Sequence, residues 1–285
     1  MRQLKSRAPA VSGIFYPSDP VELRKTIEQS FLDRNFGPGA IAPPTHKHSK
    51  IYGIVSPHAG YAYSGSVAAN GYQQIFSMNH ETIIITGPNH YGIGSGVATM
   101  RETVWKTPMG GVEVNTEFVD SISKDSIIDV DDFSHSRDHC LEVQLPFLQY
   151  VKKNDNFRIV PIILMWQDID TAKVVGKMIS QIIKSEGTNA LVIASSDFTH
   201  YEPNEDAHKK DQELINAILS LDVSLFYDIL QRFDISACGY GAIASAIITA
   251  RELGATRGEL LKYATSGDIT GDTSSVVGYA SIIFL

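Results

Sequence analysis

Thr82-Ile83-Ile84-Ile85-Thr86-Gly87-Pro88-Asn89-His90 is a short β-branched run that breaks into a glycine–proline turn and delivers a histidine. Related patterns recur along the chain. Ile51-Tyr52-Gly53-Ile54-Val55 ends in Ser56-Pro57-His58-Ala59-Gly60-Tyr61. Phe157-Arg158-Ile159-Val160-Pro161-Ile162-Ile163-Leu164 ends near Trp166. Ala190-Leu191-Val192-Ile193-Ala194 ends in Ser195-Ser196-Asp197-Phe198-Thr199-His200. Continuous apolar runs of this length predict strands covered on both faces, as in a parallel sheet. Helical periodicities lie between them. One is Val174, Val175, Met178, Ile179, Ile182 and Ile183, with Asp170 or Thr171 as cap. Another is Leu214, Ile215, Ile218 and Leu219. An earlier helix starts at Asp19-Pro20-Val21-Glu22, carries Leu23, Ile27 and Phe31, and ends before Gly37-Pro38-Gly39. Ser275 to Leu285 reads as a buried final strand. The pattern predicts a single α/β domain over residues 1–285, with a mostly parallel central sheet and helices on both faces. Residues 91–135, punctuated by Gly92, Gly94, Gly96, Pro108, Gly110 and Gly111, read as an irregular insertion within it.

Composition narrows the function classes. Apolar residues make up 43% of the 285, enough for a full core, and the net charge is −8. No basic run exceeds pairs such as Lys152-Lys153, so there is no nucleic-acid footprint. No apolar stretch reaches the roughly 18 residues of a membrane span. The N-terminal residues lack the apolar core of a secretory signal. Two cysteines, Cys140 and Cys238, are too few for a disulfide scaffold, so a cytoplasmic chain with reduced thiols is expected. His46, His48, His80, His135 and His208 lie in polar surroundings and are expected to be solvated. Cys140 reads as structural.

The remaining polar clusters carry the chemistry. In open α/β sheets ligands bind beyond the carboxyl ends of the strands. His58, His90 and the Asp197/His200 pair all follow such ends. Cys238, in Ser236-Ala237-Cys238-Gly239-Tyr240-Gly241, precedes the helix-like run Ala242 to Leu253. A thiol at a helix start is expected to have a lowered pKa. Imidazole and thiolate are strong transition-metal ligands, so His58, His90 and Cys238 form a candidate metal site with open positions. His139 and Glu142, spaced i, i+3 as on one helix face, could orient ligands around it. His200 is the candidate acid/base, with Asp197 as its orienter or as an extra ligand. Each cluster also has a simpler reading alone: His58 and His90 as turn residues, Asp197 as a helix cap, Cys238 as a small buried apolar group. Gly239-Tyr240-Gly241-Ala242-Ile243-Ala244 fits G-x-G-x-x-A but lacks a proper preceding strand. A thiol hydrolase using Cys238 with Asp197 and His139 or His200 needs no metal, and leaves His58 and His90 unexplained.

Pro57-His58-Ala59-Gly60-Tyr61, Gly87-Pro88-Asn89-His90, Asp138-His139-Cys140-Leu141-Glu142, Leu145-Pro146, Ser195 to His200 and Cys238-Gly239 together resemble the Memo family. Its prokaryotic members are called AmmeMemoRadiSam system protein B. Gly13-Ile14-Phe15-Tyr16-Pro17 and Ser275 to Ala280 extend the likeness over nearly the whole chain. The resemblance implies a fold like the catalytic subunit of class III extradiol dioxygenases, non-haem iron enzymes with two histidines and one carboxylate. By that analogy His58 and His90 are the histidine ligands, and Cys238 stands where the dioxygenases use glutamate. Iron is the expected cofactor; zinc and copper also suit the donors. The expected function is metal-dependent redox chemistry on a small molecule or a partner-bound intermediate. The family name implies association with a radical S-adenosylmethionine protein and a third system protein. The alternative is a binding module without chemistry, its pocket lined by aromatic residues such as Tyr61, Tyr63, Tyr91, Trp166 and Tyr240, that recognises a peptide or partner.

Overall fold

A computed structural model describes residues 4–44, 48, 50–76, 78–152 and 157–285. Among these, the elements in chain order begin with β1 (Lys5–Arg7), α1 (Pro20–Leu32), β2 (Gly53–Ser56), α2 (Tyr61–Gln74) and β3 (Thr82–Pro88). The middle of the chain forms β4 (Val97–Thr99), β5 (Thr103–Thr107), β6 (Gly110–Glu113), α3 (Thr116–Ser123), β7 (Asp129–Val130) and α4 (Gln144–Lys152). Then come β8 (Arg158–Leu164), α5 (Ile169–Glu186), β9 (Ala190–Ser195), β10 (His200–Glu202), α6 (Asn204–Leu219) and α7 (Val223–Phe233). The chain closes with α8 (Tyr240–Leu253), β11 (Gly258–Thr265), α9 (Ser266–Thr270) and β12 (Val276–Phe284).

The main sheet runs β10-β12-β2-β9-β3-β8-β4-β7, with β11 also paired to β12. Its core, β2-β9-β3-β8, is parallel, as the four apolar runs predict. Antiparallel pairs join both flanks to it: β12 on β2, β10 and β11 on β12, and β4 on β8, while the edge strand β7 lies parallel to β4. The sheet is therefore mixed, with parallel pairing concentrated at its centre. Ile54, Ile83, Ile84, Ile85, Val160 and Ile193 are fully buried there, which explains their unbroken hydrophobicity. Helices flank the sheet: α8 lies against β9 and β3 with α5 packed on it, and α2 lies against β12 with α1 packed on it.

Several local readings are refined. Asp19 caps α1 by accepting from the N–H groups of Val21 and Glu22, and Leu23, Ile27 and Phe31 are buried. Helix α5 is capped by Asp168 rather than Asp170 or Thr171. Residues 91–135 are not irregular. They supply β4 and β7 to the main sheet and the hairpin β5-β6, which pairs with β1 in a second, three-stranded sheet. His135 is buried, not solvated, because it packs edge-on against the core residue Trp105. His80 is largely out of water, and burial lowers its pKa to about 4. His48 is partly buried 3.8 Å from Glu259, and His208 pairs with Asp268 at 2.9 Å. His46 lies outside the described residues.

The register places the site. Ser56 is level with Ser195, Thr86 with Ala194, and Pro88 with Leu164. The carboxyl ends of four parallel strands thus share one edge, and the chain leaving them carries His58, Asp197, His90 and Trp166.

Candidate metal centre

Ligand atoms of His58, His90 and Cys238 lie within 4.8 Å of one another. His58 follows β2, His90 follows β3, and Cys238 lies in the turn before α8. His58 is buried, Cys238 partly buried and His90 exposed, so the cluster opens on the His90 side. Cys238 Sγ is 3.1 Å from His58 Nε2 and accepts the Asp197 backbone N–H at 3.3 Å. The Cys238 N–H donates to the Asp197 carbonyl, and the Gly239 N–H to Ser196 Oγ. A Cβ on Gly239 would sit 2.6 Å from the Ser195 carbonyl oxygen, so glycine is required for the turn to approach β9.

Both histidines have their tautomer fixed by groups behind them. Gln144 Nε2 donates to the Pro57 carbonyl (2.9 Å) and to Ser195 Oγ (2.8 Å), while Tyr72 donates to its Oε1. Ser195 Oγ spends its single proton on the Cys140 carbonyl at 2.6 Å. His58 Nδ1, 2.9 Å from the same Oγ, must therefore carry a hydrogen, and Nε2 presents its lone pair to the cluster. His90 Nδ1 lies 3.1 Å from Asp138 Oδ1, and the His90 N–H donates to Asp138 Oδ2 at 2.7 Å. A carboxylate only accepts, so His90 also offers Nε2. Hydrogen-bonded support of the remote ring nitrogen is the usual arrangement behind a metal-binding histidine.

His90, Asp138 and His139 form a second close group. The His90 and His139 rings stack at 4.8 Å with planes 15° apart. Their in-plane lone pairs run alongside each other instead of meeting at a point, and Asp138 also accepts from the Cys140 N–H. This group reads as support for His90. Burial opposes the Asp138 charge, but the His90 side chain and the backbone N–H bonds outweigh it and hold the carboxyl well below the usual range. Asp138→Asn should weaken metal binding about 10–100-fold with the fold retained. Chelator competition would measure this, and wild-type affinity would show that His90 needs no such partner.

The electrostatics favour the neutral forms of His58, His139 and Cys238. Burial, reinforced by His90, lowers the His58 pKa well below the ordinary histidine value. Burial and then His58 lower His139 to about 4. Burial, then Asp197, push the Cys238 thiol up. This reverses the expectation of an activated thiolate. Helix α8 starts at Tyr240, two residues beyond the thiol, and burial is the largest influence on the thiol.

A cavity of about 700 Å³ opens over the cluster. Its floor includes His139, Asp197 and His200, and its mouth Ile14, Phe15, Tyr63 and Tyr201. Phe15 packs on His139 at 4.6 Å. His200 Nδ1 donates to the Ser236 carbonyl at 2.9 Å, which leaves the lone pair on Nε2, and the residue lines the cavity. Ser236 therefore orients His200, whereas Asp197 Oδ1 accepts the His58 N–H at 2.8 Å. Glu142 does not face the cluster. It lies in the turn before α4, not on a helix face, and takes hydrogen bonds from Arg7, Ala10, Val11 and Tyr16. Of the proposed pocket aromatics, Tyr63 lines the cavity, while Tyr61 is buried with its hydroxyl on the Val143 carbonyl. Tyr240 lines a separate cavity beside α7.

Comparison with known proteins agrees with this architecture. The Memo-like protein family matches residues 7–283. The chain belongs to this Memo-like family. A MEMO1 family protein of Nitrosopumilus maritimus is 50% identical over 280 residues, covering 98% of this chain and 99% of the relative. A MEMO1 family protein of Methanopyrus kandleri is 47% identical over 280 residues, covering 98% of each. An uncharacterized protein from Escherichia coli K12 shares the fold at TM-score 0.53 and 10% identity, over 82% of this chain and 100% of its own. In this Memo-like chain Asp138, Ser195 and Gln144 support the two histidines by hydrogen bonds that the sequence pattern does not single out. The one local signal was Asp138 next to His139; the contacts of Ser195 and Gln144 span elements far apart in sequence.

Proposed function

We propose that this protein holds a transition metal at His58, His90 and Cys238 and uses it in redox chemistry on a small molecule or a partner-bound intermediate, with iron as the metal. The observation that carries the reading is the grouping of ligand atoms of His58, His90 and Cys238 within 4.8 Å, with Nδ1 of each histidine held by its own partner. Two imidazoles and a thiolate suit iron, zinc and copper, and the resemblance to non-haem iron enzymes favours iron. A bound iron would supply a Lewis-acidic centre able to change oxidation state. The chain's own part is to position a ligand in the cavity and to move protons. His200, which lines the cavity and has Nδ1 engaged by Ser236, would accept a proton at Nε2. Asp197, whose carboxyl burial pushes up, holds one to higher pH than a solvated aspartate.

Anaerobic purification followed by elemental analysis tests the reading. Near-stoichiometric iron in the wild type, lost in Cys238→Ala and His90→Ala, supports it. No iron in the wild type, and no uptake of added iron, zinc or copper, sinks it. The protonation states give a further expectation. Because the metal-free thiol is held neutral, binding as thiolate releases a proton, so metal affinity should rise about tenfold per pH unit through the neutral range. The thiol gains from rising pH and His58 is already neutral, so the slope is positive. Calorimetry in buffers of different ionisation enthalpy would count the protons, and a flat profile would exclude a thiolate ligand.

The apolar mouth supports a second reading, a pocket that binds a partner without chemistry. Ile14 and Tyr201 are each 78% exposed there. If Cys238→Ala keeps partner binding and loses turnover, the first reading stands. The thiol hydrolase has least support: the imidazole facing the thiol is His58, and both groups are pushed toward their neutral forms.

A further inference from the structure

Gln167 lies just beyond β8 and reaches the Cys238 turn from a strand two places away from β9 in the sheet. Its Nε2 donates to the Cys238 carbonyl at 2.9 Å, and its Oε1 accepts the Gly241 N–H at 2.9 Å. A carbonyl only accepts and a backbone N–H only donates, so the amide has one orientation. The Gln167 carbonyl in turn accepts from the Tyr227 hydroxyl at 2.6 Å, which ties it to α7. The fit is close: a Cβ on Gly241 would lie 2.9 Å from Gln167 Cα. Cys238 precedes α8, so helical hydrogen bonding does not fix its peptide. On one side the turn is tied to Ser196 and Asp197 at the end of β9. On the other, Gln167 joins it to the β8 end.

We propose that Gln167 is a positioning residue for Cys238. It holds the peptide carbonyl that follows the thiol and so keeps Sγ aimed at the point faced by His58 and His90. The inference rests on the metal reading above, but the two can fail separately. The two side-chain bonds have different roles. The bond to Gly241 caps the first turn of α8, and the bond to Cys238 restrains the sulfur-bearing residue. Gln167→Leu removes both. Gln167→Glu keeps an acceptor for Gly241 and sets an oxygen against the Cys238 carbonyl.

The experiment titrates metal-free wild type, Q167L and Q167E with Co²⁺ against a competing chelator, reading the sulfur-to-cobalt charge-transfer absorption. In parallel, the rate of Cys238 alkylation by iodoacetamide is measured in metal-free protein, with fully buried Cys140 as internal reference. Both variants should bind cobalt about tenfold more weakly, with an altered charge-transfer band, and alkylate Cys238 several-fold faster. A Q167E protein with wild-type affinity, band and alkylation rate overturns the proposal, because capping alone would then explain the residue. If the wild type shows no sulfur-to-cobalt band, the metal reading fails and alkylation decides: a faster rate in Q167E supports positioning, an unchanged rate overturns it. Tyr227→Phe leaves both side-chain bonds in place and loosens only their anchor. It should shift each readout in the same direction by less, which keeps the proposal testable if Q167L does not fold.

Discussion

Cys238→Ala is expected to lower affinity for a divalent transition metal by about two to three orders of magnitude while the protein stays folded. Structural metal sites with four good ligands are worth about 10–16 kcal/mol in all, so one ligand accounts for about 3–4 kcal/mol, and each 1.4 kcal/mol is tenfold. The fold should persist because the substitution removes one sulfur at the edge of a cavity. The sulfur accepts the Asp197 N–H, and both residues line the cavity. His90→Ala should cost a similar amount. His200→Ala should not, since His200 is held by Ser236 and lies outside the three-ligand cluster. Competition with a fluorescent chelator distinguishes these variants. Equal loss in His200→Ala would show that the ligand set is wrong; unchanged affinity in Cys238→Ala would remove sulfur from it.

Glu142→Gln is expected to produce the largest loss of stability among single polar substitutions, about 3–5 kcal/mol, because it leaves a buried cation without its counter-charge. The Arg7 side chain is 4% exposed and that of Glu142 0%, and they meet at 2.6 Å. Arg7 also donates to the carbonyls of His135 and Asp138 and lies over the Trp105 ring. The Glu142 carboxylate further accepts from the N–H groups of Ala10 and Val11 and from the Tyr16 hydroxyl. One side chain therefore pins residues 7–16, the segment that carries Ile14 and Phe15 over the cavity. Urea unfolding with linear extrapolation would measure the loss. Lys184→Ala, whose partner Glu252 is about half exposed, should change stability by less than about 1 kcal/mol. A near-neutral Glu142→Gln would mean that Arg7 finds other partners without disturbing the segment.

What could be read from the chain follows the range of the interactions. The four β-branched runs announced the parallel core because burial on both faces leaves a local mark. His58, His90 and Asp197 were recognisable at strand ends for the same reason. The antiparallel flanks were less legible: β12 meets β2 across most of the chain, and its apolar run alone does not state a direction. Residues 103–113 concealed a hairpin because glycine, which marked them as loop, also serves a tight strand connection. His135 looked solvated beside Ser134, Ser136 and Arg137, yet the ring reaches inward to Trp105. The spacing of Glu142 to His139 points it at the candidate metal site. The turn at 140–143 sends it instead to the N-terminal segment. Spacing reports neighbours along the backbone, but not which way a turn points them.

Cys238 and His58 touch although 180 residues separate them. The strand that carries His58 is flanked on one side by β9 and on the other by β12, whose paired residues are Ile282 to Phe284. During synthesis, then, a chain that has just exposed His58 has neither the Cys238 sulfur nor the strand that encloses the β2 edge. All three candidate donors are present only once the chain has been made past Cys238. In the proposed metal reading, loading would then follow closure of the β2 edge by β12 rather than guide it.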